Sequence, residues 1–325
     1  MDLSIIIVNW NTCSLLKKCL ESIVKYTRNI QFEIIVVDND SSDGSVEMVK
    51  SVFPSVILIQ NEKNVGFASG VNQGLKIANG KNMLLLNSDT YIMENTFRKM
   101  VDAIDKDAHI GAINCRVLYP DGRPQSAYCR FPSLGGMIYE SVSIFRSISR
   151  SKIFYKYDVS QWDYSVSKEL RDGLWPGGGC LMIKSVVIEK VGSLDENFGY
   201  AYLEDADLCY RIKNAGYTFY YLAEATVYHH HGYSVSKSNQ EFKDLLTLNL
   251  QQNKYYFFEK HYEYTHLLIL KTFELFKNTL IEFYLLMAYF FTLKEREKYR
   301  KKIKLYSRLI AGCFVNHRLK DSLIH

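Results

Sequence analysis

Two acidic clusters, one early in the chain and one late, carry residue types that chemistry needs. Asn87-Ser88-Asp89 directly follows the apolar run Met83-Leu84-Leu85-Leu86, and Glu204-Asp205-Ala206-Asp207 opens a helix-like segment, Leu208 to Ala215. A carboxylate at the C-terminal end of a buried strand sits where open α/β sheets bind ligands. Asp89 there suits Mg2+ or Mn2+, hard cations that prefer carboxylate oxygen, keep several waters and bridge substrate phosphates. In the late cluster Asp205, Leu208 and Ile212 fall at i, i+3 and i+7, which turns Asp205 inward. An inward carboxylate is costly unless it has a task, and as a general base it would take the proton of a hydroxyl. Asp207 and Arg211, at i and i+4, are expected to form a surface pair.

A third acid, Asp38, ends the run Glu33-Ile34-Ile35-Val36-Val37. From a strand end it would accept the imide N–H of uracil or thymine, a donor that adenine lacks. Asn9 and Asn11 end the first strand and would line the same pocket. Asp43 reads differently, as a loop acid that caps the next helix. Asn64-Val65-Gly66-Phe67-Ala68-Ser69-Gly70-Val71-Asn72 leads into a helix, where glycines let backbone N–H groups approach an anion. Trp175 and Gly177 to Gly179 would floor an acceptor pocket or form a tight turn beside a core tryptophan. Of the run His229-His230-His231, only alternate residues share a face in extended chain, so at most His229 and His231 act together.

The elements that must position these residues alternate over the first ninety positions. Leu3 to Val8, Glu33 to Val37, Val56 to Ile59 and Met83 to Leu86 are continuous apolar runs, suited to strands covered on both faces of a parallel sheet. Helices are expected over Leu15 to Tyr26, Ser45 to Val52 and Gly70 to Ala78, with Ser41-Ser42-Asp43 capping the second and Gly80 ending the third. This order implies a Rossmann-like open α/β sheet, mostly parallel and flanked by helices. A helix over Glu94 to Asp107 and a strand near Gly111 to Val117 follow. From Gln125 to Arg171 periodicity is weak and reads as a partly looped insertion. A glycine turn into a strand (Leu174 to Ile183), the acidic helix, and a strand pair (Thr218 to Leu222, Ala225 to Tyr228) close the core. Beyond Ser238 the pattern is helical.

Composition narrows the class. With 325 residues, 47% apolar and 23% charged, the chain is globular and long enough for a large core plus an appendage. Seven scattered cysteines without a CxxC pair fit a reducing cytoplasmic compartment and neither a zinc site nor a disulfide framework. The N-terminus lacks the basic region and cleavage site of a signal peptide. Lys294 to Lys304 holds seven Lys/Arg and two Glu, so it accounts for the whole net charge of +5. The neutral remainder argues against nucleic acid as a partner. No glycine fingerprint follows the first strand, which counts against NAD or FAD, and no GxxxxGK[ST] occurs, which excludes a P-loop.

Taken in order, Ile5-Ile6-Ile7-Val8-Asn9-Trp10-Asn11, Val37-Asp38-Asn39-Asp40-Ser41-Ser42-Asp43-Gly44-Ser45, Asn64-Val65-Gly66-Phe67-Ala68, Leu86-Asn87-Ser88-Asp89-Thr90, Pro176-Gly177-Gly178-Gly179-Cys180-Leu181, Leu194-Asp195-Glu196-Asn197-Phe198 and Glu204-Asp205-Ala206-Asp207-Leu208 form a specific series. From about Leu3 to Gly232 the chain resembles the inverting family 2 glycosyltransferases of GT-A fold, nearest the rhamnosyltransferase-like bacterial branch of surface polysaccharide synthesis. The resemblance implies a catalytic domain over 1–238. Its donor, a dTDP- or UDP-linked sugar, would be held by Asn9, Asn11, Asp38, Asn64, Gly66, Asn72, Asn87 and Ser88. It further implies a divalent metal on Asp89 with His229 completing the shell, Asp205 as the base, and Trp175, Gly177, Gly178, Gly179 and Glu204 facing a saccharide or lipid-linked acceptor. The first acid of the family's DxD-type motif is Asn87 here, which leaves fewer charges on the metal. Two rivals fit less well. A sugar nucleotidyltransferase needs a basic glycine loop after strand one, and a non-catalytic sugar-nucleotide scaffold would have lost Asp89 or Asp205.

Residues 239–325 form the helical appendage. From Leu267 to Leu293 the polar residues Lys271, Glu274, Asn278 and Glu282 recur at steps of three and four on a largely apolar helix. The longest uncharged run, Phe283 to Leu293, is far below the roughly 20 residues of a membrane span. With the basic segment behind it, this pattern predicts a peripheral position on the cytoplasmic face of the membrane; a helix pair packed on the core is the alternative.

Overall fold

A computed structural model describes residues 1–137, 164–177, 179–200, 202–230, 239–291 and 295–315. The chain divides into two compact units, one drawn from Met1–Phe131, Phe145–Tyr200 and Glu204–Lys237, the other from Pro132–Ile144, Ala201–Leu203 and Ser238–His325. The first unit is built on β1 (Leu3–Asn9), β2 (Phe32–Asp38), β3 (Ile57–Gln60) and β4 (Asn82–Asn87), alternating with α1 (Cys13–Tyr26), α2 (Ser45–Val52) and α3 (Phe67–Ile77). Ile5, Ile7, Val36 and Leu84 are completely buried, as expected where helices cover both faces and no polar alternation is tolerated. β1 pairs in parallel with β2 and with β4, and the register aligns Asn9 with Asp38 and Val8 with Asn87. The three strands that end in candidate residues therefore end level with one another.

Among the described residues the remaining strands are β5 (Thr90–Tyr91), β6 (Ile110–Leu118), β7 (Tyr128–Arg130), β8 (Lys168–Glu169), β9 (Leu174–Pro176), β10 (Cys180–Lys184) and β11 (Thr218–His229). The main sheet runs β3-β2-β1-β4-β10-β6-β11-β5, with β8 on β11, and β7 and β9 form a separate ribbon. The chain leaves β1 toward β2 and β3, then returns to β4 on the other side of β1. That reversal makes a switch point, where open sheets leave a crevice at the strand C-termini. Downstream, β10 enters antiparallel between β4 and β6, which carries Gly179 to the end of β4. Three more helices of this unit lie among the described residues: α4 (Thr96–Ile104), α5 (Ser185–Val191) and α6 (Glu204–Asn214).

Several sequence expectations change in detail. β3 is an edge strand with half its residues exposed, not a doubly covered one. The expected pair of strands from Thr218 to Tyr228 is one strand, β11, kinked by a register shift between Leu222 and Thr226. Gly80 does not end α3, which stops at Ile77. A Cβ on Gly80 would lie 2.4 Å from the Ser4 nitrogen, so the glycine serves the close passage of the chain past β1. Most of the weakly periodic insertion lies outside the described residues.

Asp207 and Arg211 are not a surface pair. The Asp207 side chain is 0% exposed, and Arg211 Nε donates to it at 2.9 Å. The same guanidinium donates to the carbonyls of Val191 (2.6 Å) and Ser193 (2.8 Å), so the pair staples α6 to the end of α5. Removing one partner of such a pair strands the other, so Asp207→Ala is expected to cost about 3 kcal/mol of stability. Urea unfolding checks this; a loss under about 1 kcal/mol would mean the pair is solvated.

The second unit holds α7 (Gln240–His261), α8 (Tyr264–Phe291) and α9 (Arg296–Gly312). Tyr255, Phe257 and Phe258 of α7, Leu267, Leu270 and Leu285 of α8, and Leu309 of α9 are buried. No described helix is long and apolar enough to cross a membrane.

Candidate functional site

At the ends of β1 and β2, polar side chains are knitted into one network. Asn9 Nδ2 donates to Asp38 Oδ2 at 2.8 Å and to Ser41 Oγ at 3.1 Å, and the Ser41 amide donates to Asp38 Oδ1 at 2.8 Å. Each Asp38 oxygen thus has one partner and retains a lone pair, in a side chain only 1% exposed. Asn11 holds a left-handed backbone (φ 52), its amide donating to Ser41 Oγ and its Oδ1 accepting from the Ser42 amide. Asp43 joins two helix starts, accepting from Cys13 N of α1 at 2.7 Å and from Ser45 N of α2 at 3.2 Å. It serves α2 from one position outside the N-cap, which is Gly44 (φ 83). The β1–α1 and β2–α2 loops are thereby locked into a single wall.

The network extends to β4 through Thr12, which the sequence did not single out. Ser88 Oγ lies 2.9 Å from Thr12 Oγ1, and Thr12 Oγ1 donates to Asn9 Oδ1 at 2.6 Å. With the Thr12 proton so committed, Ser88 donates, and an unbroken chain runs Ser88, Thr12, Asn9, Asp38.

Beside it, β4, β5 and β11 bring Asn87, Asp89 and His229 together although 140 residues separate the last two. The His229 backbone pairs with Thr90. Its Nε2 lies 3.1 Å from Asp89 Oδ1 and 3.4 Å from Asn87 Nδ2. Gln125, a second residue missed in the sequence, sets the ring. Its Nε2 donates to the His229 carbonyl at 2.6 Å, which leaves its Oε1 to accept from His229 Nδ1 at 3.1 Å. A proton on Nδ1 leaves the Nε2 lone pair facing the Asp89 carboxylate, two acceptors that need a cation or a second proton between them. Their spacing matches the edge of an octahedron with bonds of about 2.1 Å. The pair therefore fits a divalent metal. Among the described residues no group of three or more His, Cys, Asp or Glu is placed to hold one, so the other ligands would come from substrate and water. Gly179 (φ 78) is fixed by this corner: its carbonyl accepts from Asn87 N, and a Cβ would lie 2.6 Å from Asn87 Nδ2.

The Asn64 to Asn72 stretch behaves otherwise than expected of an anion cradle. Gly66 N donates to Asn64 Oδ1 and Phe67 N to the Tyr200 carbonyl, so the N-cap amide and the first amide of α3 are occupied. Gly66 (φ 86) is required because a Cβ would lie 2.8 Å from the Gly199 oxygen. Asn72 grips the Leu194 backbone at both its N and O and donates to Glu196 Oε1. These residues anchor the Leu194–Tyr200 turn, a contact that local sequence does not reveal.

Asp205 opens α6 half-buried, next to the buried Glu204. Its Oδ1 accepts from the Ala206 amide at 2.8 Å. Burial outweighs that hydrogen bond and pushes the carboxyl up to about 6. The Asp205 charge also adds to burial in pushing the Cys129 thiol up to about 12. Cys129 pairs across the β7–β9 ribbon with Trp175. Trp175 is a core tryptophan packed on Phe131, with its indole N–H buried and unpartnered, so it forms a wall and not an exposed floor. Gly177 passes close to Cys129, its added Cβ falling 3.0 Å from the sulfur. The run from β9 to β10 thus borders Asp205 at one end and Asn87 at the other. Gly178 and His231 lie outside the described residues.

Comparison with known proteins fits this geometry. Residues 4–165, about half of the chain, match the family described as glycosyl transferase family 2. An N-acetylglucosaminyl-diphospho-decaprenol L-rhamnosyltransferase of Mycobacterium tuberculosis is 24% identical over 217 residues, 63% of this chain and 68% of that one. An uncharacterised protein of Sinorhizobium fredii is 26% identical over 242 residues, 73% of this chain, which spans only 25% of its length. The fold matches a mannosyltransferase of Pyrobaculum calidifontis, solved with GDP-mannose and Mn2+, with a TM-score of 0.53 at 15% identity over 95% of this chain and 85% of that one. On its motifs, its level strand ends and these likenesses, the chain belongs to glycosyltransferase family 2 and has the GT-A fold.

Proposed function

We propose that this chain is an inverting hexosyltransferase of bacterial surface polysaccharide synthesis. Its residues 1–238 would be the catalytic domain, using a dTDP- or UDP-linked sugar, with rhamnose the first candidate. The observation that carries the reading is the gathering of Asn9, Asp38, Ser88, Asp89 and His229 at one switch point. Asp38 uses its remaining lone pairs for the imide of the pyrimidine, with Asn9 and Asn11 holding the loops around it. Asn87, Ser88 and Asp89 flank the diphosphate. Asp89 and His229 would hold a divalent cation, which would supply charge neutralisation for the departing diphosphate. Asp205 takes the proton of the acceptor hydroxyl as that oxygen bonds to the anomeric carbon. The bond from that carbon to the diphosphate oxygen breaks, the electron pair leaves with the nucleoside diphosphate, and the configuration inverts. Glu204, Gly177 and Gly179 border the acceptor side, with Trp175 behind them. The name of the mycobacterial relative supports a lipid-linked diphosphate saccharide as acceptor, met at the cytoplasmic face of the membrane.

Donor turnover tests the reading. With Mn2+ or Mg2+ and a panel of UDP- and dTDP-sugars, one donor is expected to release its nucleoside diphosphate, and Asp89→Ala and Asp205→Asn are expected to abolish release. A donor that binds but is never turned over, even with lipid-linked acceptors, would leave a binding protein.

A further inference from the structure

Helix α8 is built inside out. Helices on a protein surface put charged residues outward and apolar ones toward the core. None of the four charged residues of α8 is exposed. Glu274 is buried and pairs with Lys277; Lys271 Nζ donates to the Val315 carbonyl at 3.0 Å; Glu282 accepts from Ser307 Oγ of α9. The polar stripe seen in the sequence is thus the seam within the second unit. The opposite face carries Ile269, Phe276, Leu280, Phe283, Met287 and Phe290, spaced at three, four and seven residues. All are exposed, with Phe276 at 65%, Phe283 at 62% and Phe290 at 67%. A 28-residue helix is about 42 Å long, so the apolar ridge is continuous and not a scatter of single side chains.

Cations flank α8 on one side of this ridge. Lys298, Lys301 and Lys302 of α9 share a groove of about 820 Å³ with Ile281, Tyr284 and Leu285 of α8 and with the acidic Asp244 and Glu297. Tyr284, 67% exposed, borders the ridge beside Leu280 and Met287. Apolar side chains bordered by lysine are complementary to acyl chains bordered by lipid phosphates. A second copy of the chain fits less well, because both copies carry a net charge of +5 and like charges repel. No described helix can span a bilayer, which leaves the in-plane orientation.

We propose that α8 lies in the plane of an anionic bilayer surface, with Phe276, Phe283 and Phe290 entering the acyl boundary and Lys298, Lys301 and Lys302 contacting lipid phosphates. The proposal rests on the membrane-facing acceptor reading above and deepens it to named residues. The test is flotation of the full chain with phosphatidylglycerol/phosphatidylcholine vesicles and with pure phosphatidylcholine vesicles, at low and high salt. Flotation is expected with the anionic vesicles, weakened by salt. It should fall about tenfold in Phe283→Glu/Phe290→Glu and in Lys298→Gln/Lys301→Gln/Lys302→Gln. Both variants alter exposed positions and should retain donor turnover. Equal flotation on neutral vesicles, indifference to the Phe pair, or absence of flotation would overturn the proposal. So would a dimer that the Phe pair dissociates, since a second copy would then cover the ridge. Donor turnover by the unaltered chain is read separately, so failure of the transferase reading stays distinguishable from failure of this one.

Discussion

Asp205→Asn is expected to lower kcat by about three orders of magnitude, within the range for loss of a general base, while making the protein more stable at neutral pH. Both effects have one cause. Burial pushes the Asp205 carboxyl up to about 6 from its ordinary 3.8, so between these values the native state holds a proton that the unfolded chain releases. Stability contributed by the protonated form is present below pH 4 and is lost as the pH rises through 6. At pH 7 the ionised carboxylate works against folding, and the neutral amide relieves a penalty on the order of 3 kcal/mol. The same ionisation is what the base needs. In the unaltered chain kcat/KM is therefore expected to rise along an acid limb with a midpoint near 6. Thermal melts at pH 5 and pH 8, set beside the pH–rate profile, check both halves. Retention of more than a fifth of the activity in Asp205→Asn would remove the residue from the base role, and a lowered melting temperature would show that its charge is well solvated.

Asp89→Asn is expected to lose two to three orders of magnitude in kcat/KM, a loss that added Mn2+ does not restore. The finer test lies in Gln125, which touches neither donor nor metal in the proposed mechanism. By accepting from His229 Nδ1 it leaves Nε2 free of a proton and aimed at Asp89. Outer-shell partners of this kind set metal affinity by about 10- to 100-fold. Gln125→Leu is accordingly expected to weaken Mn2+ binding, measured directly by electron paramagnetic resonance, within that range. Gln125→Glu keeps an acceptor for Nδ1 and should recover most of the affinity. Unchanged Mn2+ binding in Gln125→Leu would dissociate the His229 tautomer from the metal. A merely structural role for Gln125 would lower stability and leave metal affinity where it was.

The alternation of β-branched runs and amphipathic segments in the first ninety residues reads directly as parallel strands and covering helices, because each strand must be apolar along its whole length. The strand-end acids Asp38 and Asp89 were legible for the same reason: a carboxylate that breaks such a run is conspicuous. The packing of Asn72 was not legible, since an amide that clamps the Leu194 backbone looks, locally, like one that awaits a ligand. Asp207 was misread. Its spacing from Arg211 predicts the pair, but only the carbonyls of Val191 and Ser193 converging on the guanidinium bury it.

The sequence by itself determined the sheet, the family and the acids at the strand ends, because those follow from local periodicity and from motifs a few residues long. Tertiary structure alone decided that Thr12 links Ser88 to Asn9, that Gln125 orients His229 toward Asp89, and that the polar stripe of α8 faces inward. Each of these depends on groups far apart in the chain meeting within hydrogen-bond distance. No local pattern encodes such a meeting; it follows from the return of the chain to β4 beside β1, and from the packing of α9 on α8.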